Sequence, residues 1–363
     1  MTSTIDRTAL LLGDEAVAFA AVDAGVTGAY SYPGTPATEI LDTIIGIAPA
    51  GVTAHWTANE KTAYEAALGV SMAGRRALVA MKHVGLNVAA DPFVNSALVA
   101  IQGGLVVVVA DDPGMHSSQN EQDSRLLAAF ARIPCLEPAS PQEAYTMVRE
   151  AFDISERFQV PVMVRLVTRI AHSRAAVERA PAREPNPMAK APDPNDWILI
   201  PGNARRLWRR LLDTQPAIQA WSEASPHTTL ALSDDDRGLG VITAGIGGNH
   251  YREHLADLGF TPSHLHIGAY PVPVAAVQAL AERVERILVI EEGAPVVEHS
   301  LVGTLPTRWT ILGRASGALP EDGELTPDPV RTALGLPAHR RLALTELVLP
   351  GRPPLLCTGC PHH

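Results

Sequence analysis

Four short segments hold the groups that most suggest chemistry in this chain. In the first, Asn59-Glu60 is followed by Ala63, Ala66, Ala67 and Gly69, so a carboxylate heads a helical stretch with one face built of small residues. Such a stripe lets a backbone or a flat ring approach closely. A carboxyl held against a ring by an apolar wall remains able to exchange protons near neutrality, which makes Glu60 the candidate proton-transfer group. The other three are Ser31-Tyr32-Pro33-Gly34-Thr35-Pro36, Lys82-His83-Val84-Gly85 and Asp111-Asp112-Pro113-Gly114-Met115-His116-Ser117-Ser118-Gln119, each directly after an apolar run. In open parallel sheets ligands gather beyond the carboxyl ends of the strands, where these segments would lie.

The elements that must position them read as alternating strands and helices. Strands are expected at Ala9 to Leu12, Gly28 to Tyr32, Ala77 to Met81, Leu105 to Ala110 and Val160 to Arg165, and helices at Glu15 to Ala24, Glu60 to Met72, Asn87 to Ile101 and Pro141 to Phe158. That alternation predicts an α/β fold with a parallel sheet covered on both faces. From Pro181 to Asp196 five prolines lie among Arg, Glu, Asn and Asp, which reads as a linker or extended surface crossing, with a basic helix near Ala204 to Leu212. A second α/β unit is expected from strands at Val241 to Ala244, His264 to Gly268 and Ile287 to Ile290, with helices at Tyr251 to Leu258 and Val274 to Val284.

Composition removes several classes of partner. A formal charge of -10 invites neither a nucleic-acid backbone nor an anionic membrane. Three cysteines, Cys135, Cys357 and Cys360, do not make a disulfide framework and suit a reducing cytoplasm. The apolar run Leu105 to Ala110 is too short to span a bilayer, and charges near the N-terminus interrupt any signal sequence, so a cytoplasmic protein is expected.

The segment Glu60-Lys61-Thr62-Ala63-Tyr64-Glu65-Ala66-Ala67-Leu68-Gly69 resembles the helix start in the pyrimidine domain of thiamin-diphosphate enzymes. More widely, Gly13-Asp14-Glu15-Ala16, Tyr32-Pro33-Gly34-Thr35-Pro36, Asn59-Glu60-Lys61, the run Met81 to Pro92, Asp111 to Gly114, His116 to Gln119 and Glu121-Gln122-Asp123 resemble the large subunit of indolepyruvate:ferredoxin oxidoreductases. The resemblance implies that Glu60 hydrogen-bonds the cofactor's N1′ and drives removal of the thiazolium C2 proton. It also implies a turn from Tyr32 to Pro36 beside the thiazolium, with Thr35 donating to a bound 2-oxo acid. Lys82 and His83 would face the same cleft, one cation neutralising the substrate carboxylate, with Tyr32, Gly34 and His116 as cofactor contacts.

By the same resemblance, residues 1–180 form a pyrimidine-type domain and 181–236 a linker and helix. Residues 237–348 form a transketolase C-terminal-like α/β domain, and 349–363 open a diphosphate domain that the chain lacks. Thiamin diphosphate and Mg2+ would then be shared with a separate diphosphate-domain polypeptide, and any iron-sulfur cluster would sit on a partner. A small oxidoreductase subunit, ferredoxin, coenzyme A and indolepyruvate or another aryl 2-oxo acid complete the implied set, within an oligomer. The competing expectation is a truncated, non-catalytic remnant that only binds partners.

Plainer roles exist for the same residues. Glu60 suits a helix N-terminus on macrodipole grounds, and Thr35 suits the turn set by Pro33-Gly34 and Pro36. Lys82 and His83 could be a solvated strand end, and His116 a loop hydrogen-bonder. Asp111 and Asp112 before Pro-Gly read as turn caps and not as metal ligands, and Cys135 as a buried small hydrophobe. Gly245-Ile246-Gly247-Gly248 could cradle a phosphate at a helix start, without dinucleotide spacing. Cys357, Cys360, His362 and His363 offer zinc-type ligands that the resemblance explains without zinc, so no metal is expected on this chain.

Overall fold

The computed structural model describes residues 8–304 and 309–339, without the side chains of 303 and 304. The Cys357 to His363 segment therefore lies outside the described residues. Thr8–Leu12 (β1) and Gly13–Asp23 (α1) lead to Gly28–Ser31 (β2), Thr38–Ile47 (α2), Thr53–Trp56 (β3), Glu60–Met72 (α3) and Ala77–Lys82 (β4). Next come His83–Val88 (α4), Ala90–Ser96 (α5), Leu105–Asp111 (β5), Arg125–Ala131 (α6), Cys135–Leu136 (β6), Pro141–Phe158 (α7), Val162–Val167 (β7), Thr168–His172 (α8) and Arg174–Glu178 (β8). Pro201–Glu223 (α9) carries the chain to Thr228–Ala231 (β9), Leu239–Ala244 (β10), Gly247–His254 (α10), Ser263–Ile267 (β11) and Ala269–Tyr270 (β12). Val274–Arg283 (α11), Arg286–Ile290 (β13), Val296–Thr304 (α12), Thr310–Leu312 (β14) and Pro327–Ala333 (α13) follow.

The larger sheet has the order β12-β6-β7-β5-β4-β2-β3 and is parallel except for β12. Its central strands β4, β5 and β7 are buried at every position, as the apolar runs of β4 and β5 predict for strands covered on both faces, while β7 also buries Arg165. The smaller sheet, β14-β13-β10-β11-β9, is parallel apart from β9. Through β12 it lends a two-residue strand to the edge of the larger one. Among the described residues no helix is long and apolar enough to cross a membrane.

Several sequence expectations change. The strand expected at Ala9 to Leu12 is β1, which pairs antiparallel with β8 in a separate ribbon. Leu10 on it is 67% exposed, so this apolar run never enters a two-sided core. The helix expected from Asn87 to Ile101 is instead α4 and α5, joined at Ala89 and ending at Ser96. Past that point the chain runs to Gly103 and Gly104, where an added Cβ would collide with neighbouring backbone. Conversely, the helix expected to end near Leu212 continues to Glu223 across Pro216, because its buried residues Leu207, Leu211, Ile218 and Ser222 keep one face against the core. The Pro181 to Asp196 crossing is pinned by backbone bonds from Arg183 N to Asp23 O and from Ala189 N to Ala73 O, both 2.9 Å.

Candidate functional site

Parallel pairing of β3, β2, β4 and β5 sets their carboxyl ends side by side, so the segments that follow them share one edge of the larger sheet. After β3 the chain enters α3, whose cap Asn59 accepts a hydrogen bond from Thr62 N at 2.9 Å. Glu60 is the first residue of that helix and half-buried. Ala63 and Ala67 of the small-residue stripe are buried, while Gly69 is exposed.

The carboxyl of Glu60 lies directly over Gly85 of α4. A Cβ at Gly85 would sit 2.5 Å from Glu60 Oε1 and 2.6 Å from its Cγ. Any side chain at position 85 would thus displace the carboxyl. Among the described residues Glu60 has no hydrogen-bond or ion-pair partner.

The Tyr32 to Pro36 turn packs against the end of β4. Gly34 faces Lys82, where an added Cβ would be 3.3 Å from Lys82 Cβ, and Gly34 N donates to Thr38 Oγ1 at 3.1 Å. Thr35 is exposed, its peptide bond to Pro36 is cis, and its carbonyl accepts from Ser117 Oγ at 3.2 Å. Tyr32 is half-buried.

Lys82 and His83 fasten the segment that follows β5. Lys82 Nζ donates to Ser117 O at 2.8 Å, and His83 Nε2 is 3.1 Å from Asn120 O. That contact places a proton on Nε2, and His83 Nδ1 is buried without a hydrogen-bond partner among the described residues. Burial draws the Lys82 amine below its ordinary range, and the Asp112 carboxylate offsets part of this.

Asp112 organises the same loop. It accepts from Ser117 N at 2.8 Å, Ser118 Oγ at 2.5 Å and Thr168 Oγ1 at 2.8 Å. Burial pushes this carboxyl up, but those bonds and Lys82 outweigh it and hold it below the usual range. His116 is exposed, with Nε2 3.5 Å from Glu324 Oε2, so it points to the chain after β14. Glu121 accepts from Gly114 N at 2.9 Å and from Gly323 N at 3.0 Å, which ties the loop to that chain.

Behind the loop lies an ionic network that sequence reasoning missed. Arg165 Nε is 2.6 Å from Asp111 Oδ2, and its guanidinium also pairs with Glu137. Arg125 is 2.5 Å from Asp123 Oδ2 and 3.0 Å from Glu291 Oε2, and Tyr270 Oη donates to Glu137 Oε2 at 2.6 Å. All six charged groups are buried, and the partners come from both sheets. The available signal was Arg165 itself, a cation inside an apolar strand, which needs buried anions.

The turn at Gly245 to Gly248, whose glycines could have cradled a phosphate, is filled by protein. A Cβ at Gly245 would meet Glu137 Oε1 at 2.6 Å and one at Gly248 would meet the His266 ring at 3.0 Å. Those glycines permit close packing, and a carboxylate already lies at that turn. Cys135 is buried, which pushes its thiol above the ordinary range.

A nitrogen heterocycle fits the sheet edge on this chain's own terms. The Glu60 carboxyl, without a partner among the described residues, occupies the space that Gly85 leaves open, and His83 Nδ1 on the same helix as Gly85 is buried without a hydrogen-bond partner among the described residues.

A family model described as pyruvate flavodoxin/ferredoxin oxidoreductase, thiamine diphosphate-binding, matches residues 19–202. The chain is 38% identical over 362 residues to the indolepyruvate oxidoreductase subunit IorA of Methanothermobacter thermautotrophicus, a match covering 97% of this chain and 58% of that one. It thus spans less than two thirds of the length of that relative. Among solved structures, a 2-oxoglutarate:ferredoxin oxidoreductase from Magnetococcus marinus superposes with a TM-score of 0.72 at 17% identity, over 90% of this chain and 65% of the other. A split-gene transketolase in an inactive tetramer gives 0.57 at 14% identity, over 89% and 95%. These two likenesses establish the fold.

Proposed function

The chain belongs to the pyruvate flavodoxin/ferredoxin oxidoreductase, thiamine diphosphate-binding family, and on that premise we propose that it supplies the pyrimidine half of a thiamin-diphosphate site for oxidative decarboxylation of indolepyruvate or another aryl 2-oxo acid. The observation that carries this reading is the position of Glu60, a carboxyl at the head of α3, without a partner among the described residues, lying over Gly85. When bound, the cofactor supplies the carbon nucleophile for the 2-oxo group. Glu60 holds the proton shared with the pyrimidine nitrogen. A general acid-base role of this kind contributes about 100-fold to 10,000-fold in rate.

The remaining groups orient and enclose. Thr35, exposed on its turn, donates its hydroxyl to the substrate, and the Lys82 ammonium offsets the substrate carboxylate while holding Ser117. His83 fixes the loop at Asn120, Tyr32 and Gly34 form the wall beside the ring, and His116 stands at the loop's outer edge. A partner polypeptide brings the diphosphate, its Mg2+ and any iron-sulfur cluster. A small subunit completes the cytoplasmic assembly, coenzyme A accepts the acyl group and ferredoxin the electrons.

The test is Glu60→Gln in a complex reconstituted with a diphosphate-domain partner. Deuterium exchange at the cofactor's C2 and ferredoxin reduction by indolepyruvate should both fall by about 100-fold or more. Native rates for both in that variant would overturn the reading.

A further inference from the structure

Asp14, Glu39 and His172 come from distant parts of the chain and meet beside the Thr35 turn. Asp14 lies in the first turn of α1, Glu39 in the first turn of α2 and His172 at the end of α8. One ligand atom from each lies within 4.8 Å of the other two, and His172 Nε2 is 3.9 Å from Glu39 Oε2. Gly13 makes the approach possible, because its missing Cβ lets α1 pass against the Ile170 carbonyl of α8.

Asp14 is 0% exposed, and neither of its carboxylate oxygens has a hydrogen-bond partner among the described residues. Glu39 Oε2 is a buried atom that likewise has no hydrogen-bond partner among the described residues, its ion-pair contact being His172 at 3.9 Å. A buried carboxylate left without a donor is costly. Burial first, then Glu39, then Glu15 all push the Asp14 carboxyl up. Two facing carboxyls of this kind need either a shared proton or a cation between them.

We propose that Asp14, Glu39 and His172 form a binding site for one first-row divalent cation. Two carboxylates with one imidazole suit manganese, iron or zinc, in contrast to the all-oxygen sets of calcium and magnesium. Neighbouring ligand atoms around such an ion sit about 3–3.5 Å apart. The side chains of His172 and Glu39 are 38% and 44% exposed, so both are free to turn inward and close the gap from their present separation of within 4.8 Å. Their exposure also gives the ion a path from solvent and leaves room for water ligands. The ion would tie the helix that begins three residues after Thr35 to α1 and α8, bracing the turn without entering the cleft. This proposal does not depend on the assigned reaction.

Mn2+ titration of the metal-free 363-residue chain, followed by the electron paramagnetic resonance signal of free Mn2+ and without thiamin diphosphate, tests it. One Mn2+ should bind per chain. Asp14→Asn and His172→Ala should each weaken binding by at least about 100-fold, the upper end of what even outer-sphere changes cost. His172 is exposed and Asn is an uncharged isostere of the buried Asp14, so neither variant should lower the melting temperature, measured alongside. Absence of stoichiometric binding, with Asp14 and Glu39 sharing a proton instead, would overturn the proposal. So would binding that survives both substitutions and disappears in His339→Ala, which would move the ion to the His254, Asp257 and His339 group.

Discussion

Gly85→Ala is the sharpest perturbation of the proposed proton-transfer geometry. The new methyl would lie 2.5 Å from Glu60 Oε1, 2.6 Å from Cγ and 2.9 Å from Cδ, whereas ordinary contact begins at 3.4 Å. The carboxyl must therefore retreat by about 0.9 Å. The atoms in the way are the end of a flexible side chain, so backbone need not shift. Gly85 lies inside α4 and is not among the positive-φ residues, so alanine there should favour the helix by about 0.5–1 kcal/mol. Fold stability should stay level or rise while the carboxyl is misplaced. A displacement of about 1 Å in a reacting group costs roughly 100-fold in rate, or about 2.7 kcal/mol of barrier. The assay is C2 deuterium exchange in the reconstituted complex, with melting temperature as control. In the Glu60→Gln background the same methyl should cost little, since the group it displaces no longer works. A native exchange rate in Gly85→Ala, or a loss of equal size with and without the Glu60 carboxyl, would refute the reasoning.

Glu292 is 1% exposed, and burial pushes its carboxyl up to about 7, against a weaker downward pull from its bond to Leu325 N. Between pH 4.5 and 7 the folded protein therefore keeps a proton that the unfolded chain releases, so this group's contribution to stability falls as pH rises through that window. Glu292→Gln, which retains an acceptor for Leu325 N, should stabilise more at pH 8 than at pH 5, by up to about 3 kcal/mol in urea unfolding. A pH-independent difference would count against it. Arg165→Met should destabilise by about 3–5 kcal/mol, because it leaves Asp111 a buried anion without its cation and removes one of the groups that pair with Glu137. A loss under about 1 kcal/mol in the same assay would mean that the network does not bear on stability.

What is legible in the sequence follows from how local each signal is. The start of α3 carries its own cap, so the spacing of Asn59, Glu60 and the alanines after them is enough to place the helix and its leading carboxylate. The strands β4 and β5 declare themselves as unbroken apolar runs because both their faces are covered. β1 carries an equally apolar sequence but lies in an exposed ribbon, and composition alone cannot distinguish the two. Pro216 reads as a helix stop, yet packing of Ile218 and Ser222 outweighs the lost hydrogen bond. Long-range groupings leave no local trace: Asp14, Glu39 and His172 have no common spacing, and Arg125 meets Glu291 only through the fold.

The second sheet's place in this arrangement follows from the loop between β5 and α6. Its inner side is held by Lys82 at Ser117 and by His83 at Asn120, both at the end of the larger sheet's strand β4. Its outer side is held by Glu121, which bonds Gly114 of the loop and Gly323 of the chain after β14 with one carboxylate. Glu324, next in line, meets both His116 and Arg169, the latter at 2.6 Å. The ionic network beneath closes the same seam, since Arg125 and Arg165 belong to the first unit and Glu291 and the Glu292 carbonyl to the second. A unit that adds no group to the proposed chemistry thus still fixes the loop whose Ser117 touches Thr35. Changes at Gly323 should therefore be felt at the Thr35 turn through two hydrogen-bonded steps, Gly323 to Glu121 and Ser117 to Thr35, although Gly323 does not lie on the sheet edge where Glu60 sits.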